Sequence, residues 1–274
     1  MNIQEKTSKL EKILREAGQV AVAYSGGVDS SLLVRFARNV LGPANVLAVI
    51  GQSESLQQAS LEQAIAAAKS WDVAIRVVHT TEMENLDFVR NPPDRCYHCK
   101  KELCQSLQRE AAAHFGRLPV LADGNQVDDA GDFRPGRRAA REAGVRSPLA
   151  EAGFTKADVR ALSKQLGIVG SDRPAEACLA SRVPYGTSIT PEILAKVGAA
   201  EQVLRDAGFT TIRVRHHGTI ARIEVAPADI TRLAALASEI SQKIRKLGYH
   251  YVALDLDGYR TGSLNAGLKK EPLS

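Results

Sequence analysis

Apolar positions along the chain fall into two rhythms. Over 19–24 the run QVAVAY is short, apolar and β-prone; SGGVDS follows, and then SLLVRFARNVLG repeats its apolar residues at helical spacing up to Gly42. This predicts strand, glycine turn, helix. The alternation continues with a strand over 46–50, an alanine-rich helix over 56–71, a strand over 73–78, a helix near 100–114 and a strand over 118–122. Strands alternating with helices predict an α/β fold whose parallel sheet is covered on both faces, with functional groups at the strands' carboxyl ends. At the start, Ile3, Leu10, Ile13, Leu14 and Ala17 lie at helical spacing among charges, where a secretory signal needs an unbroken apolar stretch.

After Ala122 the chain turns polar through GNQVDDAGDFRPGRRAAREAG and resumes a helix over 155–166, with Thr155 as its cap. A loop-rich stretch, SDRPAEACLASRVPYGTSIT, leads to a second pattern: helix 192–207, strands 211–215 and 219–225, helix 228–247, strand 249–254. We read two domains, 1–170 and a smaller α/β unit over 171–274. The last residues, LKKEPLS, look like a frayed tail.

Composition adds exclusions. Of 274 residues, 44 % are hydrophobic and 24 % charged, which fits an ordinary folded protein rather than a disordered chain or a fibre. The longest apolar runs fall far short of the roughly 20 residues that span a bilayer, so we expect a cytoplasmic protein. A net charge of +5 tolerates an anionic ligand without demanding a nucleic-acid polymer. Only four cysteines occur, Cys96, Cys99, Cys104 and Cys178. A chain this long needs no disulfide staples, which turns attention to metal or redox chemistry.

SGGVDS, Ser25 to Ser30, sits where a strand's carboxyl end meets a helix's amino end. Free backbone N–H groups and the helix dipole converge there, which suits an anion. Gly26 and Gly27 let the backbone curl around it, Ser25, Ser30 and Ser31 add hydroxyl donors, and Asp29 could hold magnesium. The competing reading is a tight turn with Asp29 or Ser30 as a plain N-cap. No GxxxxGK[ST] string occurs, so a Walker A lysine is missing. GNQVDD, Gly124 to Asp129, follows a strand in the same way and puts Asp128 and Asp129 at the same sheet edge, to hold magnesium or orient a nucleotide. The arginines of RPGRRAARE, Arg137, Arg138 and Arg141, fit a surface helix or a phosphate site equally well.

Cys96 and Cys99 of CYHC have the spacing of tetrahedral metal or iron–sulfur ligands, whereas Cys104 lies roughly 140° round a helix from Cys99 and suits packing. Cys178 is the natural third thiol. It lies in ACLASRVPYGTSIT beside Ser181 and Arg182, in a loop, where a guanidinium would favour the thiolate. The alternative is a reduced surface pair beside a lone buried thiol. In TTIRVRHHG, Arg213 and Arg215 project from one strand face ~7 Å apart, either as a phosphate clamp or as a solvated outer face. Glu201 continues the stripe Leu194, Val197, Leu204, an odd place for an unpaired carboxylate; it would face Arg213, Arg215 or a ligand.

The SGGVDS loop resembles that of the N-type ATP pyrophosphatases, whose domain is of the Rossmann-like adenine-nucleotide hydrolase type. That resemblance puts the backbone near Ile50 against adenine. Together, AVAYSGGVDSSLL, RCYHCKKEL, GNQVDDAGDFRPGRRAAREAGVRSPL, ACLASRVPYGTSIT, the RVRHH strand and DGYRTGSLN resemble the LarE family of ATP-dependent sulfur transferases over nearly the whole chain. The family adenylates pyridinium-biscarboxylate mononucleotide and converts the activated carboxylate to a thiocarboxylate during synthesis of a nickel-pincer cofactor. The resemblance implies ATP phosphates on Ser25 to Ser30, nucleotide or magnesium near Gly124, Asp128 and Asp129, and substrate phosphate on Ser181, Arg182, Arg213 and Arg215. It also implies that Glu201 and Asp128 or Asp129 are acidic site residues, beside the catalytic part read for Asp29 in the loop, and a homohexamer.

The family supplies sulfur in two ways. In one, the cysteine matching Cys178 attacks the acyl-adenylate and is itself consumed, leaving dehydroalanine. In the other, three cysteines hold a [4Fe–4S] cluster carrying an extra sulfide. The pair Cys96 and Cys99 beside Cys178 favours the cluster route here. Rival readings are a tRNA thiolase, for which +5 is thin, a non-catalytic ATP-binding module, and amidotransferase relatives such as NAD or GMP synthases, for which no glutaminase domain is in view.

Overall fold

The computed structural model describes residues 1–131, 135–169, 177–260 and 262–264. It divides into two compact units, Met1–Phe88 with Pro93–Glu176, and Val89–Pro92 with Ala177–Ser274. The excursion of Val89–Pro92 into the second unit is invisible in the hydrophobic pattern. Asn91 explains it: at φ 56 its side chain donates to the carbonyls of Val183, Pro184 and Thr187 at 2.8–3.3 Å.

The first unit opens with α1 (Ile3–Ala17), held by a capping box in which Glu5 N donates to Asn2 Oδ1 and Asn2 N donates to Glu5 Oε2. Then come β1 (Val20–Ala23), α2 (Val28–Leu41), β2 (Val46–Gln52), α3 (Gln58–Ser70), β3 (Ala74–His79), a single turn α4 (Leu86–Val89), α5 (Arg95–Phe115) and β4 (Val120–Ala122). Three further helices follow, α6 (Pro135–Glu142), α7 (Pro148–Glu151) and α8 (Lys156–Gln165), the last capped by Thr155 as the sequence predicts. The sheet is parallel in the order β3-β2-β1-β4. Val20 and Val22 of β1 pack with α1, α2 and α3, while Ala21 and Ala23 pack with Leu107 and Ala111 of α5. Both faces of the sheet are therefore covered.

Two boundaries differ from the sequence pattern. Helix α5 begins at Arg95, with Asp94 as its N-cap just after Pro92 and Pro93, so CYHC falls at its start instead of preceding it. The stretch read as one helix over 228–247 is two, α10 (Ile230–Ala235) and α11 (Ala237–Lys246), separated at Leu236 with φ −98 and ψ 10.

The second unit also contains α9 (Pro191–Asp206) and a three-stranded sheet of β5 (Ile212–His217), β6 (Ile220–Val225) and β7 (Tyr251–Leu254), with β5 and β6 antiparallel and β6 and β7 parallel. Ile212, Val214, Ala221, Ile223 and Val225 point to the face that packs with Leu204, Leu233, Ile240 and Ile244 of the helices. By the two-residue repeat of a strand, Arg213, Arg215, Arg222 and Glu224 point to the other face.

Candidate functional site

In an open parallel sheet the ligand crevice forms where strand order reverses, here between β1 and β4. SGGVDS leaves β1 and GNQVDD leaves β4, so both glycine-bearing loops flank that point. Their backbones touch: a Cβ on Gly124 would lie 2.6 Å from Ser30 N and 2.8 Å from Ser30 Cα. Gly26 stands at φ 73, and a Cβ there would meet Ala64 Cβ at 2.8 Å. Gly27 is the N-cap of α2 and offers no capping side chain, which leaves the helix's first-turn dipole for a ligand. The serines knit the turn to itself, Ser30 Oγ donating to Gly27 O at 3.1 Å and Gly27 N donating to Ser25 Oγ at 3.3 Å.

Asp29, which the sequence offers for magnesium, carries an ion pair in the fold. Both of its carboxylate oxygens accept from Lys156 Nζ, at 2.7 and 2.6 Å. Lys156 opens α8, and its own backbone N donates to Asp128 Oδ2 at 2.8 Å. No local motif marks this lysine, because 127 residues separate it from Asp29. Asp129 is buried, accepts from Gln126 N and gives its carbonyl to Arg137. The ambiguity of RPGRRAARE resolves for two arginines: Arg137 braces the β4 loop, and Arg138 lies 4.1 Å over the Tyr97 ring beside Glu142.

Ile50 is buried near the end of β2. Pairing with β1 stops at Val49, whereas pairing with β3 runs on to Gln52. From Ile50 onward the backbone edge toward β1 has no ladder partner there, the form a planar base needs for in-plane hydrogen bonds.

Cys96 is exposed and Cys99 half-buried at the start of α5, and Cys104 is buried, with its thiol pKa raised by burial. The packing role expected of Cys104 holds. Within each unit, among the described residues, no group of three His, Cys, Asp or Glu side chains is gathered to hold a metal ion. Cys178 is in the second unit, exposed, immediately before the 3-10 turn Leu179–Arg182.

In that unit Arg182, Arg213 and Arg215 are buried. Arg182, 1 % exposed, donates from Nε and Nη2 to the two oxygens of Glu201 at 2.8 and 3.1 Å. Its Nη1 holds the carbonyls of Ala177 at 2.5 Å and Cys178 at 3.0 Å, and reaches Ser181 Oγ at 3.0 Å. Arg182 is therefore a strut under the Cys178 loop, a different role from the open phosphate donor expected. Burial pushes the Glu201 carboxyl up, but the charge of Arg182, its hydrogen bonds and the Val214 N–H outweigh this and leave its pKa below the usual value. Glu201 pairs with Arg182 and Arg205, and it also feels the charge of Arg213, one of the two partners expected of it.

The solvated-face alternative for the strand arginines fails too. Arg215 makes a bidentate pair with Glu224 at 2.9 and 2.8 Å and donates to Ser181 O at 2.9 Å. Arg213 lies 5.0 Å over the Tyr259 ring. Burial and the neighbouring Arg182 and Arg215 charges depress its pKa. Five arginines, at 182, 205, 213, 215 and 222, stand against Glu201, Glu224 and Asp255. The excess is positive and suits an anion.

Comparison with known proteins agrees with both halves. The NAD synthase family matches residues 2–92, the stretch that carries the SGGVDS loop. The chain is 39 % identical over 269 residues to the pyridinium-3,5-bisthiocarboxylic acid mononucleotide synthase of Lactiplantibacillus plantarum, covering 98 % of this chain and 97 % of the relative. An uncharacterized protein of Synechocystis is 43 % identical, with 98 % and 100 % covered, and one of Methanocaldococcus jannaschii is 30 % identical, with 94 % and 98 % covered. The chain belongs to the LarE family, that of the pyridinium-3,5-bisthiocarboxylic acid mononucleotide synthases.

Proposed function

We propose that this chain is an ATP-dependent sulfur transferase that adenylates pyridinium-3,5-biscarboxylic acid mononucleotide and turns its carboxylate into a thiocarboxylate in nickel-pincer cofactor synthesis. One observation carries the reading: two glycine loops meet backbone to backbone at the uncapped amino end of α2, in a chain matching a synthase of that product from end to end. A substrate carboxylate oxygen attacks the α-phosphorus of ATP, the bond to the bridging oxygen breaks, and pyrophosphate leaves with the electron pair. Ser25, Gly26, Gly27 and Ser30 hold the phosphates. The backbone of Ile50 faces adenine, and Gly124 admits the β4 loop to the phosphate tail. Asp29, with Asp128 or Asp129, would hold magnesium, whose role is to offset phosphate charge.

Arg213, Arg215 and Ser181 take the substrate's phosphate, and Glu201 acts as a positioning residue through Arg182 on the loop of Cys178. The family's [4Fe–4S] cluster would be held by Cys96, Cys99 and Cys178 and would supply a replaceable sulfide. Cys96 and Cys99 fit as an exposed and a half-buried ligand on one helical turn, and Cys104 is excluded by burial. Among the described residues no helix is long and apolar enough to cross a membrane. We place the enzyme in the cytoplasm as a homohexamer with small-molecule partners and no nucleic acid.

The sulfur source is tested by intact mass after turnover with ATP, magnesium and the pyridinium substrate. The cluster route predicts an unchanged polypeptide mass, bound iron and thiocarboxylate product, the iron and the product both being lost in Cys178→Ala. Loss of one sulfur and two hydrogens from the chain would instead assign Cys178 as the consumed donor.

A further inference from the structure

The segment RPGRRAARE has one more use in the first unit, where α6 lies along the start of α5. Helix α5 opens without a capping side chain, since Asp94 at its N-cap makes no side-chain hydrogen bond to the helix. A helix end left this way frays, because its first N–H groups have no intrahelical acceptor. Yet this end carries Cys96 and Cys99, one exposed and one half-buried. Contacts from α6 take the place of a cap. Gly136 lets the two backbones approach, as a Cβ there would stand 3.2 Å from Cys96 O and 3.4 Å from Lys100 Cβ. Tyr97 Oη donates to Glu142 Oε2 at 2.6 Å, and the Arg138 guanidinium lies 4.1 Å over the Tyr97 ring and 3.7 Å from Glu142. Just beyond α6, the carbonyl of Ala143 accepts from Gln108 Nε2 at 3.2 Å, which fixes that end against α5 as well.

Tyr97 stands between the two cysteines in sequence, and at ~100° per residue it projects ~100° away from Cys96 and ~200° away from Cys99 round the helix. A hold on Tyr97 therefore fixes the rotation of the turn from the side opposite Cys99. The near end of α6 is tied in too: Arg137 Nη1 donates to Asp129 O at 2.6 Å, on the β4 loop beside the glycine crevice. We propose that α6 is a brace for the cysteine pair, in which Arg138 and Glu142 are positioning residues that act through Tyr97 to hold Cys96 and Cys99 at one geometry and one place relative to the β4 loop. A ligand pair ordered before iron arrives keeps a cluster longer than a frayed one, because metal binding does not then have to order the turn. The inference rests on the cluster reading above.

The test uses the full chain in two states. In the cluster-free protein, Cys96 and Cys99 are followed separately by mass spectrometry during labelling with a thiol reagent, with Cys96 as the internal reference because it is already exposed. Contacts of this size govern local opening rather than global folding, so E142A is expected to speed labelling of Cys99 about fivefold while Cys96 changes by less than about twofold. E142Q keeps an acceptor for the Tyr97 hydroxyl and is expected to stay near the wild type. R138M follows E142A, and R138K, which keeps a cation over the ring, recovers most of the loss. In the protein reconstituted with iron and sulfide, E142A is expected to lose iron to a chelator about fivefold faster, with ATP affinity and unfolding temperature unchanged. Wild-type labelling and iron retention in E142A would overturn the brace. So would a parallel fall in ATP affinity and unfolding temperature, which would mark a general loosening of the first unit. If the wild type takes up no iron, the cluster reading falls, while the ratio of Cys99 to Cys96 labelling still decides whether α6 holds the turn.

Discussion

Gly124→Ala is expected to weaken ATP binding severely while leaving the second unit's folding intact. The added methyl would stand 2.6 Å from Ser30 N and 2.9 Å from Asp29 C, and both are backbone atoms in the first turn of α2. No flexible side chain can give way, so either the β4 loop or the helix end must move. Overpacking of this kind costs about 1–3 kcal/mol of stability. The functional loss is larger, because the displaced atoms are the helix end and loop that face the phosphates. We expect ATP affinity to fall at least about a hundredfold, equivalent to about 2.7 kcal/mol. Isothermal titration measures it, with thermal unfolding alongside. Near wild-type affinity in this variant would mean that the two loops do not jointly form the site.

The second large effect concerns stability. Glu201→Leu removes the acceptor of a fully buried guanidinium, and breaking a buried ion pair from one side costs about 3–5 kcal/mol. Arg205 and the Val214 N–H lose the same partner. Because Arg182 also carries the carbonyls of Ala177 and Cys178, its release loosens the loop that presents the thiol. Two readouts follow: a large drop in unfolding temperature, and faster modification of Cys178 by a thiol reagent. Arg182→Met combined with Glu201→Leu should be less destabilised than the sum of the two single changes.

The pH dependence has a definite sign. Glu201's pKa is lower folded than unfolded, so its contribution is complete above the ordinary value of 4.5 and is lost as pH falls through the lowered one. Glu201→Gln should therefore flatten the acid limb of a stability-against-pH curve. An acid limb matching the wild type would remove Glu201 from the account of that loop.

The parallel sheet, the glycine turn and the second α/β unit are legible because each is written in local periodicity or in one contiguous motif. The buried identity of Cys104 follows from its angle round the helix. The start of α5 is not legible, because Cys96, Tyr97, His98 and Cys99 give no apolar rhythm, and the two prolines before them set the boundary. The candidate site is legible only as a set of residue types. That Arg182 takes Glu201, that Arg215 takes Glu224, and that Lys156 takes Asp29 depend on pairings across 19, 9 and 127 residues, which local periodicity does not report. Arg213 and Arg215 could be placed on one face by strand period, but that Arg215 reaches the loop carrying Ser181 and that Arg213 lies over Tyr259 could not.

The central claim is that the glycine crevice activates a carboxylate as its acyl-adenylate. Exchange of labelled pyrophosphate into ATP reads this step alone, before any sulfur moves. The account predicts exchange that requires the pyridinium biscarboxylate mononucleotide and survives Cys178→Ala. Release of ADP and phosphate in place of AMP and pyrophosphate, or no exchange at saturating substrate, would contradict it.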